Sequence, residues 1–118
     1  MENSVTAILL IAGSSARYGS KINKNFERIN RKPLFLYSLE IFFKNKHINE
    51  IIIVVKKGEK EQLLKLIPND ARIKITTGGK ERKDSVYNAL KIAKNEIVVI
   101  HDGARPLIKD SYINNCLK

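Results

Sequence analysis

The segment Ala12-Gly13-Ser14-Ser15-Ala16-Arg17-Tyr18-Gly19 directly follows the first apolar run of the chain, and Lys24 comes a few residues later. Small side chains let backbone N–H groups close on an anion, and the two cations supply countercharge. The chemistry this suits is the holding of a triphosphate. The spacing is not that of a dinucleotide fingerprint, because G-x-G-x-x-G is absent. Nor is it a Walker A loop: five residues separate Gly13 from Gly19, and Ser20-Lys21 inverts the required Lys-Ser/Thr order. A long loop carrying Arg17 and Lys24 can wrap a triphosphate rather than cap a helix. A surface loop with incidental charges is the alternative.

Two further segments carry residues of the same kind. In Thr77-Gly78-Gly79-Lys80-Glu81-Arg82-Lys83-Asp84-Ser85 the glycine pair is either a plain turn or a backbone surface flat enough to hydrogen-bond the edge of a base. Ser85 is either a residue of a helix's first turn or a hydroxyl offered to that base. In His101-Asp102-Gly103-Ala104-Arg105-Pro106 an aspartate beside a glycine can project its carboxylate with little crowding. Magnesium is commonly held by one or two carboxylates together with substrate phosphates, which makes Asp102 the metal candidate. Arg105 is a bidentate fork for phosphate within reach of the same point. An Asp–Arg brace of the loop is the structural alternative. His101 is read as structural, because a phosphate nucleophile is already anionic and needs no general base.

Short β-branched apolar runs at residues 5–11, 51–55, 73–76 and 97–100 predict the strands that carry these segments. Their continuous apolarity is that of strands covered on both faces of a parallel sheet. Between them the spacing predicts helices. Pro33 suits the first turn of one running to about residue 46, with Phe35, Leu39 and Phe42 as its apolar stripe, widened by Leu36 and Phe43. A second covers residues 59–67 and stops at Pro68-Asn69-Asp70. A third begins near Asp84, with Val86, Ala89, Leu90 and Ala93 spaced i, i+3, i+4, i+7. A fourth begins at Asp110, a good N-cap, and Cys116 packs on its apolar side. Residues 23–32 fit no such element and read as a loop with room for a small hairpin. The alternation predicts an α/β fold, a doubly wound, mostly parallel sheet with helices on both faces. Ligands of such sheets bind beyond the carboxyl ends of the strands, where all three segments fall.

A chain of 118 residues suffices for one domain with a modest core. No apolar run is long enough to cross a bilayer. Met1-Glu2-Asn3-Ser4 lacks the basic start of a secretion signal, and the single cysteine forms no internal disulfide, so the expected compartment is the cytoplasm. The net charge of +10 admits a polyanion partner. A nucleic-acid-binding module, however, needs a basic stripe or exposed aromatics beside its cations. The lysines here are dispersed and Tyr18 and Tyr87 are the candidate platforms, so a nucleic-acid partner is not expected.

Ala12-Gly13 through Arg17, Lys24, Gly78-Gly79 with Glu81-Arg82 and Asp84-Ser85-Val86, and His101 through Pro106 together resemble, in order and spacing, the 2-C-methyl-D-erythritol 4-phosphate cytidylyltransferases of nonmevalonate isoprenoid biosynthesis. The resemblance implies a Rossmann-like nucleotidyltransferase fold, of which residues 1–118 would be the N-terminal, CTP-binding part of a single domain. It implies transfer of CMP from CTP to a polyol phosphate with release of pyrophosphate and with Mg2+ as cofactor. By the same resemblance Ala12, Gly13, Ser14 and Ser15 line the phosphates through their amides, and Arg17 and Lys24 are the catalytic cations. Gly79 and Ser85 read cytosine, Asp102 serves the metal and the ribose side, Gly103 contacts the nucleotide, and Arg105 approaches the second substrate. A homodimer is implied for the full-length form, since family members are about twice this length and their second half completes the acceptor pocket.

The chain departs mildly from the family's pattern at Ser15, Ala16 and around Asn23-Lys24-Asn25, and more at Lys80, where an acidic residue is frequent. A ribitol 5-phosphate cytidylyltransferase shares the loop and fold, but Gly103-Ala104 favours methylerythritol phosphate. An inactive chain that still binds CTP and a basic nucleic-acid-binding α/β module are the remaining readings.

Overall fold

The computed structural model describes residues 4–12, 28–29 and 32–102. Along the chain lie β1 (Val5–Leu10), the two-residue strands β2 (Arg28–Ile29) and β3 (Lys32–Pro33), α1 (Leu34–Lys44), β4 (Ile48–Val55), α2 (Lys60–Leu64), β5 (Ile73–Thr77), α3 (Arg82–Ile92) and β6 (Ile97–Asp102). Four strands form an all-parallel sheet in the order β5-β4-β1-β6. β2 and β3 pair separately as an antiparallel ribbon, the hairpin for which residues 23–32 left room.

The period-two alternation of a strand divides β1 between two cores. Val5, Ala7, Leu9 and Ile11 face Phe35, Leu39 and Phe42 of α1 and Leu63 of α2. Ile8 and Leu10 face the opposite way, toward Val86 and Ala89 of α3 and Ala93 just after it. Helices therefore cover both faces, and the expected doubly wound α/β arrangement is the one observed. β1 is buried along its whole length and β4 at every residue but Asn49. β5 and β6 are half-exposed, against the expectation of strands covered on both faces, because among the described strands they flank β1 and β4.

Local chemistry moves several boundaries. Pro33 lies in β3, just ahead of α1, since its fixed φ suits an extended strand end as well as a first helical turn. α3 begins at Arg82 rather than near Asp84, whose carboxylate turns back to accept the Glu81 N–H at 3.0 Å and so belongs to the third helical position. Leu90 is 45% exposed instead of joining the stripe of Val86, Ala89 and Ala93. It sits about 100° round the helix from buried Ala89 and leaves the sheet-facing side. α2 stops at Leu64, short of the expected residue 67. The helix expected from Asp110, with Cys116, lies outside the described residues.

β4 starts three residues earlier than its apolar run, because a buried charge interrupts the pattern. Glu50 accepts hydrogen bonds from Thr6 Oγ1 at 2.6 Å, from the Lys94 N–H at 2.8 Å and from Lys74 Nζ. Burial pushes its carboxyl up, but Lys74, Thr6 and Lys94 outweigh burial and hold it below its ordinary value. This cluster ties β1, β4, β5 and the end of α3 together at the amino ends of the strands, leaving the opposite rim for ligands. Among the described residues no helix is long and apolar enough to cross a membrane.

Candidate nucleotide site

The carboxyl ends of the four strands share one rim. Leu10 is in register with Val54 on one side and Asp102 on the other. The Ile11 N–H donates to the Val54 carbonyl at 2.8 Å, and the Gly78 N–H to the Val55 carbonyl at 2.9 Å, so the ladder runs on past the nominal strand ends. The chain leaves β1 toward α1 on one face and reaches β6 from α3 on the other. The order thus reverses between β1 and β6, the place where open parallel sheets bind ligands.

Gly78, next after β5, packs against both neighbours at this rim. A Cβ there would fall 2.5 Å from the Ala12 Cβ and 2.6 Å from the Ser85 hydroxyl. At Gly79 a Cβ would fall 2.4 Å from the Asp84 Cβ. The glycine pair is therefore more than a turn: it lets the end of β1, the end of β5 and the start of α3 close on one another. Ser85 is buried at that junction. Asn88, one helical turn on, donates from Nδ2 to the Thr77 carbonyl at 2.9 Å and pins the same face of α3 to the last residue of β5.

Asp102 ends β6 beside Leu10, with its carboxylate Oδ1 3.5 Å from Arg82 Nε, the side chain being 41% exposed. Its neighbour His101 points to the other face, where its ring stands edge-on to Phe42 with centroids 6.3 Å apart. That placement agrees with the structural reading of His101. Of the site residues expected from sequence, Ala12 and Ser85 meet at Gly78, Gly79 abuts Asp84 of the same helix start, and Asp102 pairs with Arg82 of that start. Gly13, Ser14, Ser15, Arg17, Lys24, Gly103 and Arg105 lie outside the described residues. Sequence reasoning missed Asn88, although its i+3 spacing from Ser85 placed it on the same helix face.

Chemically, the rim offers an approachable backbone turn, a hydroxyl at a helix start and the half-exposed carboxylate of Asp102. Comparison with known proteins points the same way. The profile of the 2-C-methyl-D-erythritol 4-phosphate cytidylyltransferase family, IspD, matches residues 5–118. A protein of that name from Clostridium kluyveri is 40% identical over 117 residues, 95% of this chain and 51% of the relative. Another from Clostridioides difficile is 41% identical over 118 residues, 96% of this chain and 50% of the relative. Among solved structures, 4-diphosphocytidyl-2C-methyl-D-erythritol synthase from Anaerococcus prevotii shares the fold with a TM-score of 0.80 at 22% identity, covering 96% of this chain and 48% of that one. The bifunctional IspDF of Campylobacter jejuni gives a TM-score of 0.79 at 25% identity, covering 95% of this chain and 29% of that one. The chain spans about half the length of the curated relatives it matches. A profile match from the first strand to the last residue, on a sheet of this topology, places the chain in the 2-C-methyl-D-erythritol 4-phosphate cytidylyltransferase family.

Proposed function

We propose that this chain forms the CTP-binding half of an enzyme that transfers CMP from CTP to 2-C-methyl-D-erythritol 4-phosphate and releases pyrophosphate. The observation that carries the reading is the closure of Ala12, Gly78 and Ser85 on one another at the rim where Asp102 ends β6. It joins two of the three chemistry-bearing segments directly, and Arg82 links the third.

In this reading an acceptor phosphate oxygen attacks the α-phosphorus of CTP in line. The new P–O bond forms as the bond to the bridging oxygen of pyrophosphate breaks, and the departing pyrophosphate takes the electron pair. The amides of Ala12, Gly13, Ser14 and Ser15 surround the phosphates, and Arg17 and Lys24 meet the charge that builds on the α-phosphoryl and leaving oxygens. Such transfers depend on positioning and preorganised charge rather than on a protein nucleophile. Gly79 and Ser85 take the edge of cytosine, Gly103 contacts the nucleotide and Arg105 meets the acceptor.

Asp102 is a hard oxygen donor open to the rim, and it would hold Mg2+ and face the ribose. Among the described residues no cluster of three or more His, Cys, Asp or Glu side chains surrounds a metal position. One carboxylate suits Mg2+ whose other ligands are phosphate oxygens and water. When bound, the metal would neutralise phosphate charge.

The test is phosphorus NMR of the full-length protein with CTP, Mg2+ and either methylerythritol phosphate or ribitol 5-phosphate. The expected result is pyrophosphate together with a cytidine diphosphate-linked product from methylerythritol phosphate. Turnover of ribitol 5-phosphate alone would move the reading to that acceptor. CTP left intact with both would overturn it.

A further inference from the structure

Arg82 is the first residue of α3 and Asp102 the last of β6, yet Nε and Oδ1 stand 3.5 Å apart. α3 follows β5, which lies at the other end of the described sheet from β6, with β4 and β1 between them. The pair therefore spans the rim and joins the first residue of the helix to the last residue of the strand that follows it, the two far ends of one crossover. The adjacent cation behaves differently: Lys83 Nζ pairs locally with Glu81 at 3.2 Å.

The bridge is easily broken. Arg82 is 63% exposed and Asp102 41% exposed, and exposed ion pairs shift an equilibrium by less than about fivefold. The guanidinium Nε faces the carboxylate Oδ1 while the Asp102 side chain stays open to solvent, so Arg82 orients Asp102 without enclosing it. A divalent cation approaching the same carboxylate meets a like charge a few ångströms away.

We propose that Arg82 is a positioning residue, which holds the Asp102 carboxylate in the metal-free protein and yields it to a divalent cation arriving with the nucleotide. Guanidinium and metal compete for one carboxylate. The triphosphate tips the balance, since its charge favours the metal at the rim and gives the displaced guanidinium a new anion to face. The inference rests on Asp102 being the metal-side carboxylate of the proposed function.

The experiment measures Mn2+ affinity by electron paramagnetic resonance in the full-length protein with CTP present and no acceptor. Arg82→Gln is expected to tighten Mn2+ about two- to fivefold, the gain from removing a competing exposed cation. Lys83→Gln, which removes the same charge one residue on, is expected to leave the affinity unchanged. In an Asp102→Asn background Arg82→Gln is expected to have no effect. Unchanged or weaker Mn2+ binding in Arg82→Gln overturns the proposal, as does equal tightening in Lys83→Gln or in the Asp102→Asn background. If Asp102→Asn itself binds Mn2+ as the wild type does, the metal reading of Asp102 falls and this inference with it. If Asp102→Asn weakens Mn2+ while Arg82→Gln is silent, this inference alone falls.

Discussion

A Cβ at Gly78 would stand 2.6 Å from the Ser85 hydroxyl, so the end of β5 and the start of α3 touch because position 78 carries no side chain. The same Cβ would meet Ala12 at 2.5 Å. Three elements thus converge on one glycine, at the rim where the proposed function puts the nucleotide.

Gly78→Ala forces these elements apart. Overpacking of this kind costs about 1–3 kcal/mol of stability. Because the displaced groups are those assigned to the base and phosphates, CTP affinity is expected to fall by about tenfold or more, corresponding to about 1.4 kcal/mol. Gly58 is the control. It has φ +96° and nothing within 4 Å of a Cβ, so Gly58→Ala costs about 1–2 kcal/mol of backbone strain and leaves CTP binding intact. Calorimetric titration of CTP against both variants checks the contrast. Wild-type affinity in Gly78→Ala would remove the base site from this junction.

Ser85→Ala removes a hydroxyl at the same junction while keeping its packing. Discrimination between CTP and UTP is expected to relax, by about 1–3 kcal/mol if the hydroxyl is matched to the base, because a site built to hydrogen-bond one group penalises its absence. The ratio of kcat/KM for the two nucleotides measures this. An unchanged ratio makes Ser85 a helix residue and nothing more.

At the opposite end of the strands, Glu50 makes stability depend on acid. The hydrogen bonds from Lys74, Thr6 and Lys94 hold its folded-state carboxyl below the ordinary 4.5 despite burial. The unfolded chain therefore takes up the proton first. The stabilisation is whole above about pH 4.5 and is lost as pH falls through the lower, folded-state value. Glu50→Gln is expected to be less stable by about 1–3 kcal/mol at neutral pH. The gap to the wild type should narrow as urea melts are repeated from about pH 6 to about pH 3. A gap that stays constant with pH would mean that the charge of Glu50 contributes nothing.

Glu50 also shows where the sequence was hard to read. A strand pattern is legible when successive residues obey the period and burial of the sheet, as in β1 and the apolar part of β4. Asn49-Glu50 breaks the pattern, and the partners that make a buried carboxylate tolerable, Thr6, Lys74 and Lys94, are remote in sequence. The exposure of β5 and β6, outermost among the described strands, was equally hidden, since strand order is set by long-range pairing. At the candidate site, residue types and their placement after strands singled out Ala12, Gly79, Ser85 and Asp102, which the fold brings to one rim. The contacts that hold them, from Gly78 to Ala12 and from Arg82 to Asp102, are long-range and appear with the fold.

In the proposed transfer, Arg17 and Lys24 meet the charge that develops on CTP. Steady-state kinetics of pyrophosphate release by the full-length protein, with CTP varied at saturating methylerythritol phosphate, test it most directly. Arg17→Ala and Lys24→Ala are each expected to lower kcat by about 100–1000-fold, the cost of removing one preorganised donor at a transition state, with a far smaller change in the KM for CTP. A kcat that survives either substitution, with the whole loss in CTP affinity, would contradict the account.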